Sequence, residues 1–121
     1  MPGVIRIGKL LGVPAAKGTG IPKPEMNKTE ASYAEHLEAR KLAGDVAWYR
    51  FEGVALKLAK DLRYTPDFLV MLANGELECH EVKGFWRDDA RVKIKMAAAI
   101  FPFRFLAATK AANWWTFETF P

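Results

Sequence analysis

From Asn27 onward the apolar residues fall into blocks whose spacing changes along the chain, and each change marks a different element. Between Lys28 and Ala43 they recur as Tyr33, Ala34 and Leu37, the i+3, i+4 and i+7 neighbours of Glu30, which is the stripe of an amphipathic helix. Asn27 with Glu30 three residues on fits an N-cap and its capping-box partner, and Gly44 supplies a stop, so a helix is predicted over about 28 to 43. Past Gly44 the pattern shifts to short runs rich in Val, Phe, Tyr and Trp. Runs 46–52 and 54–59, broken at Gly53, predict a bent pair of strands, and 67–72 with 76–83 predict a second pair joined through Ala73, Asn74 and Gly75. From Asp88 or Asp89 a second helix is predicted to about Ile100, with Val92, Met96 and Ala99 on one side and Arg91 and Lys95 on another. Pro102 ends it, and a strand over 103–109 precedes an aromatic tail with Trp114, Trp115, Phe117 and Phe120. The expected order is α-β-β-β-β-α-β, an α+β class with a mixed sheet of about five strands flanked by two helices.

The second hairpin sets the chemical question, because a slip of one residue would place Asp67 and Glu81 on opposite faces of the sheet. A three-residue loop with Gly75 in the left-handed conformation sets Leu72 opposite Glu76, Met71 opposite Leu77, Leu69 opposite Cys79, and Asp67 opposite Glu81. A two-residue Asn-Gly turn would pair Asp67 with Val82 instead. The first register gives a face that is apolar along its length and ends in two carboxylates, so it is the one expected. Lys83, two residues after Glu81, joins that face.

Residues 1–26 carry five of the nine Gly and four of the seven Pro, with no sustained apolar period, and read as a flexible arm preceding a domain over 27–121. Arg6, Lys9, Lys17 and Lys23 stand against Glu25 alone, so three of the four net positive charges lie there; such an arm is either a solubilising leader or a track laid along phosphates. At 121 residues the chain has the size of one domain, which excludes separate cofactor and substrate lobes, and 50% hydrophobic residues suffice for a core. No stretch approaches the roughly 20 apolar residues of a membrane span, and a cytoplasmic protein is the expectation. Cys79 has no partner for an internal disulfide, and with His36 and His80 it shows no zinc-site spacing, so a metal would sit on oxygen ligands.

Two carboxylates this close repel unless a hard cation lies between them, and Mg²⁺ accepts such ligands while keeping waters for chemistry. Lys83 would then orient or deprotonate an attacking water or neutralise a phosphate oxygen, and phosphodiester hydrolysis fits these parts. The bland alternative is a salt-bridged strand edge, the commoner case for an isolated pattern of this kind. The helix headed by Glu30 is expected to pack on the acid face, bringing a third carboxylate to the same point; Glu30 has its own alternative as a capping residue.

Pro66-Asp67 and Glu81-Val82-Lys83 resemble the signature of the PD-(D/E)xK nuclease superfamily. The longer strings Tyr64-Thr65-Pro66-Asp67-Phe68-Leu69, Glu81-Val82-Lys83-Gly84-Phe85-Trp86 and Asp88-Asp89-Ala90-Arg91 resemble the phage endonuclease I group of Holliday-junction resolvases, over about residues 27 to 100. The resemblance implies a restriction-endonuclease-like core and a phage-type, Mg²⁺-dependent endonuclease of DNA recombination, with Mn²⁺ as substitute, that cuts branched DNA as a homodimer. It further implies that Asp67, Glu81, the Val82 backbone carbonyl and Glu30 hold metal and that Lys83 is the catalytic lysine. The sequence departs from the pattern at Gly53, where little linker remains for the exchanged bridge of those enzymes, so whether Glu30 acts within or between subunits stays open.

A nuclease needs phosphate contacts, and Arg87, Arg91, Lys93 and Lys95 supply a basic run that Lys57, Lys60 and Arg63 extend; the alternative is a solvated face. Phe85-Trp86 reads as a packed loop anchor, Trp114 and Trp115 as burying at a core edge or dimer interface, and His36, Cys79 and His80 as structural. No small-molecule cofactor is implied. A nickase or flap endonuclease would use identical chemistry, and a non-catalytic DNA-binding module would keep the fold without it.

Overall fold

In the computed structural model Asn27 opens helix α1 (Lys28–Leu42) through a complete capping box: Asn27 Oδ1 accepts from the Glu30 amide at 2.8 Å and Glu30 Oε1 from the Asn27 amide at 2.9 Å. The structure describes residues 25–84 and 88–121; the arm assigned to 1–26 lies almost wholly outside the described residues, as do Phe85, Trp86 and Arg87. After α1 come β1 (Val46–Phe51), β2 (Leu56–Ala59), β3 (Leu62–Tyr64), β4 (Phe68–Leu72), β5 (Leu77–Lys83), helix α2 (Asp88–Ile100), β6 (Arg104–Ala111) and β7 (Trp114–Phe120).

Five strands form one mixed sheet in the order β1-β4-β5-β6-β7, with β5 and β6 parallel and every other pair antiparallel. The parallel pair follows from α2, which carries the chain from the end of β5 back to the start of β6. The class is α+β with two helices, as the pattern predicts, but the strands are distributed differently. The second run, 54–59, does not join the sheet: its β2 pairs with the short β3 in a separate ribbon. The aromatic tail supplies the fifth sheet strand, β7.

Phe68, Val70, His80 and Val82 face α1, where Tyr33 and Leu37 close one core with Val46 and Ala108. On the other face Leu69 and Cys79 meet α2 and the β2-β3 ribbon, where Leu56, Leu58, Tyr64, Ile94, Ala97 and Phe105 close a second core. The sheet is thus covered on both sides. Two expectations are corrected by this. Helix α1 packs on the face opposite Asp67 and Glu81, because its Tyr33 and Leu37 fit the Phe68–Val70 row. The buried side of α2 is Ile94 and Ala97, with Val92 and Ala99 exposed; the ribbon and β6 reach that helix from a direction that the run of Ala residues left ambiguous.

Candidate functional site

The β4-β5 hairpin turns through Ala73-Asn74-Gly75 with Gly75 at φ +91°, and the Leu72 amide donates to the Glu76 carbonyl at 2.9 Å. Met71 pairs with Leu77, Leu69 with Cys79 and Phe68 with His80, which is the three-residue-loop register. Continued one step past the last pair, it sets Asp67 across from Glu81. The Val82 amide, beyond that last pair, donates to Asp67 Oδ2 at 2.8 Å, so the carboxylate takes the place of the next strand residue. In a regular strand the Val82 carbonyl shares the edge of its own amide, which is the edge that faces Asp67. Pro66, fully buried, and the Glu52 amide, donating to the Asp67 carbonyl at 2.7 Å, fix the backbone on either side. Gly53 packs closely here: a Cβ would stand 3.2 Å from the Cβ atoms of Arg50 and Leu69, which would have to give by a few tenths of an ångström.

Glu81 is 7% exposed and uses both oxygens: Oε1 accepts from the Tyr64 hydroxyl at 2.6 Å, and Lys83 Nζ lies 3.0 Å from Oε2. Burial first, then the Glu81 charge, pushes the Asp67 carboxyl up to about 7; the Glu30 charge adds to this, while the Val82 hydrogen bond and Lys83 oppose it. The Tyr64 hydroxyl is held firmly protonated by burial and by its carboxylate neighbour, so it acts as a donor. Near neutral pH Asp67 is therefore only partly ionised, where an isolated carboxylate would have lost its proton.

Asp67, Glu81, Val82 and Lys83 are brought together. Glu30 is close enough for its charge to act on Asp67, but its carboxylate is engaged in the capping box. Among the described residues no group of three or more His, Cys, Asp or Glu side chains is gathered as a metal cage. The donor set that fits a hard cation is thus two carboxylates and one carbonyl oxygen, the remainder of its shell being left to water or substrate.

The basic residues divide. Lys57 and Arg63 are exposed and directly opposite each other on the β2-β3 ribbon, whose Tyr64 reaches Glu81, and Lys60 is exposed in the turn. Lys95 is exposed and Lys93 half-buried on α2. Arg91 is committed elsewhere: its guanidinium makes a bidentate pair with Glu118 at 3.1 and 2.5 Å and lies 5.4 Å from the centre of the Phe120 ring. Arg87 lies outside the described residues.

Sequence reasoning missed the role of Tyr64, which was quoted only inside a motif string; a polar aromatic preceding Thr65-Pro66 at the end of a short strand was the available signal. It also missed a buried chain on the opposite face. Tyr33 and His80 are joined at 2.6 Å between Oη and Nδ1, His80 Nε2 lies 2.8 Å from Glu78 Oε1, and Arg104 approaches Glu78 Oε2 at 3.6 Å. His80 is fully buried and structural, as expected, and burial pushes the Cys79 thiol up to about 12, which keeps it an inert thiol. Two cavities of about 360 and 320 Å³ lie away from the acid pair, the first beside Pro102 and Phe120, the second between His36 and Phe117.

The fold and site thus define an α+β domain with a paired carboxylate face on its central hairpin. No family model, curated protein or solved structure matches the chain. Among the described residues no helix is long and apolar enough to cross a membrane.

Proposed function

We propose that this chain is a Mg²⁺-dependent, structure-specific DNA endonuclease that hydrolyses phosphodiesters in branched DNA, working as a homodimer in the manner of the Holliday-junction resolvases its motifs resemble. The observation that carries the reading is the Asp67–Glu81 pair: two carboxylates on one face, one with its pKa raised to about 7, with Lys83 at 3.0 Å. A structural salt bridge would lower a carboxyl rather than raise it, so the site is built for a charge it does not itself supply.

Asp67, Glu81 and the Val82 carbonyl would hold the cation, which when bound supplies Lewis-acid polarisation of the scissile phosphate and a more acidic attacking water. Tyr64 keeps Glu81 Oε1 hydrogen-bonded and so fixes the carboxylate plane; Val82 does the same for Asp67 Oδ2. Lys83 donates toward the oxygens of the transition state, where its ammonium offsets growing negative charge. Lys57 and Arg63, like charges directly opposite each other, raise the folding cost of the ribbon unless a polyanion lies over them, and with Lys60 they would supply phosphate contacts on the ribbon that carries Tyr64. Lys93 and Lys95 would add phosphate contacts from α2.

The test is Mg²⁺-dependent cleavage of a labelled four-way junction beside duplex, flap and single-stranded controls. Wild type should cut the junction, with Asp67→Asn, Glu81→Gln and Lys83→Ala inactive yet still able to bind it without metal. Cleavage of flap or single strand alone keeps the chemistry and moves the substrate. Tight binding without cleavage by wild type overturns the enzyme reading in favour of a DNA-binding module.

A further inference from the structure

The two edges of the sheet are built differently. Strand β1 has a register break between Val46 and Trp48, an exposed arginine at Arg50, and Tyr49 tied to Glu38 at 2.7 Å, which are the usual guards against edge-to-edge pairing. Strand β7 pairs with β6 without a break over all seven residues, from Phe105 opposite Phe120 to Ala111 opposite Trp114. Among the described residues it has a strand on one side only. It contains no Lys, Pro or Gly; its one charge, Glu118, is neutralised by Arg91; and Trp114 and Phe117 are 60% and 46% exposed.

The hairpin phase says which backbone groups are available. Ala111 and Trp114 flank the two-residue turn Ala112-Asn113, so they form a hydrogen-bonded pair, and such pairs alternate along an antiparallel ladder. Thr116 belongs to the bonded set, in keeping with its hydroxyl reaching the Thr109 carbonyl at 3.3 Å. Trp115, Phe117 and Thr119 therefore direct their N–H and C=O groups outward. Phe117 is the middle residue of the strand. An antiparallel copy centred on it sets Phe117 opposite Phe117, Trp115 opposite Thr119, Trp114 opposite Phe120 and Thr116 opposite Glu118, with every outward group matched and no like charges opposed.

We infer that the partner of this edge is a second copy of this chain, joined β7 to β7 about a twofold axis at Phe117 to make a continuous ten-stranded sheet. The axis is perpendicular to the sheet, so both acid pairs fall on the same face. Glu81 aligns with Ala107 and Ala107 with Glu118, one residue from the axis. Five strand spacings of about 4.8 Å separate the two copies of β5, which puts the acid pairs roughly 24 Å apart laterally. The inference specifies the homodimer of the reading above but not its chemistry, and the two fail separately.

The test is light scattering across a concentration series, with cation binding and thermal melts alongside. Wild type should have the dimer mass. Phe117→Lys, which opposes two ammonium groups at the axis, and Thr119→Pro, which removes an outward N–H that a monomer does not use, should each halve the mass while melting cooperatively and binding Mn²⁺ as before. Phe117→Cys should become a disulfide dimer under mild oxidation, since bonded antiparallel partners lie about 5.5 Å apart between Cα atoms, within disulfide reach, whereas Trp114→Cys should not. Cys79 is buried and stays out of the reaction. A wild type that is monomeric throughout, a dimer that survives both Phe117→Lys and Thr119→Pro, or cross-linking at position 114 equal to that at 117 overturns the inference.

Discussion

Glu78 and Glu81 lie three residues apart on β5, both buried, at 4% and 7% exposure, and point to opposite faces of the sheet. Burial alone would raise the Glu78 carboxyl, but the hydrogen bond and charge of His80, with Arg104 and Arg40 behind them, bring it below its ordinary value. The Asp67–Glu81 pair on the other face has Tyr64, Val82 and Lys83 as partners, yet burial and mutual repulsion still win at Asp67. The same strand thus carries one acidic cluster whose charge is compensated within the fold and one whose charge is left over. The first is a structural device; the second keeps an unbalanced negative charge, the feature on which the proposed cation site rests.

The largest effect should come from breaking the compensated side. Glu78→Ala leaves the fully buried His80 without its Nε2 partner and should cost on the order of 3 kcal/mol in a denaturant melt at neutral pH. Because the Glu78 carboxyl is held low, its contribution is present above about pH 4.5 and is lost as the pH falls through the folded value, so the variant and wild type should converge in acid.

The uncompensated side should respond with the opposite sign. Asp67 has a folded pKa of about 7 against 3.8, so wild-type stability falls as pH rises from about 4 to 7 and is then level. Asp67→Asn, which keeps an oxygen for the Val82 amide, should stabilise the metal-free protein by on the order of 2 kcal/mol at pH 8 and by almost nothing at pH 4. Melts at the two pH values check this. If the variant is destabilised at pH 8, the site is a net-favourable salt bridge and the contrast with Glu78 disappears.

Tyr64→Phe removes the hydroxyl from Glu81 and should cost about 1.5–2 kcal/mol, the lower part of the range for a hydrogen bond to a charged group. Lys83→Met removes the cation from a buried carboxylate that keeps its Tyr64 hydrogen bond, and should cost about 1 kcal/mol in the same melts while abolishing the proposed cleavage. That split between stability and turnover marks a residue kept for chemistry.

Much of this geometry is legible in the chain because local rules dictate it. Asn27 and Glu30 state the cap, and Ala73-Asn74-Gly75 fixes a register that carries Asp67 to Glu81 through a face of alternating side chains. What the sequence hides is decided over longer distances. Which face of the sheet α1 covers depends on how Tyr33 and Leu37 fit Phe68 and Val70, and an amphipathic stripe names a buried side without naming its partner. The Ala-rich stretch of α2 offers two plausible stripes, and packing against Leu56 and Phe105 selects Ile94 and Ala97. β7 looks like a tail because aromatic side chains on both its faces leave no alternation to read. Tyr64 and the Tyr33–His80–Glu78 chain join residues 17 and 47 positions apart, a separation at which spacing carries no signal.

The claim that the left-over charge marks a cation site is tested most directly by calorimetric titration of Mn²⁺ into wild type, Asp67→Asn, Glu81→Gln and Glu78→Gln near pH 7, in two buffers of different ionisation enthalpy. Wild type and Glu78→Gln should bind, with release of the proton held by the acid pair appearing as a buffer-dependent heat, and Asp67→Asn and Glu81→Gln should lose both binding and release. Binding that survives Asp67→Asn and Glu81→Gln, or that is lost in Glu78→Gln while that variant remains folded, would contradict the account.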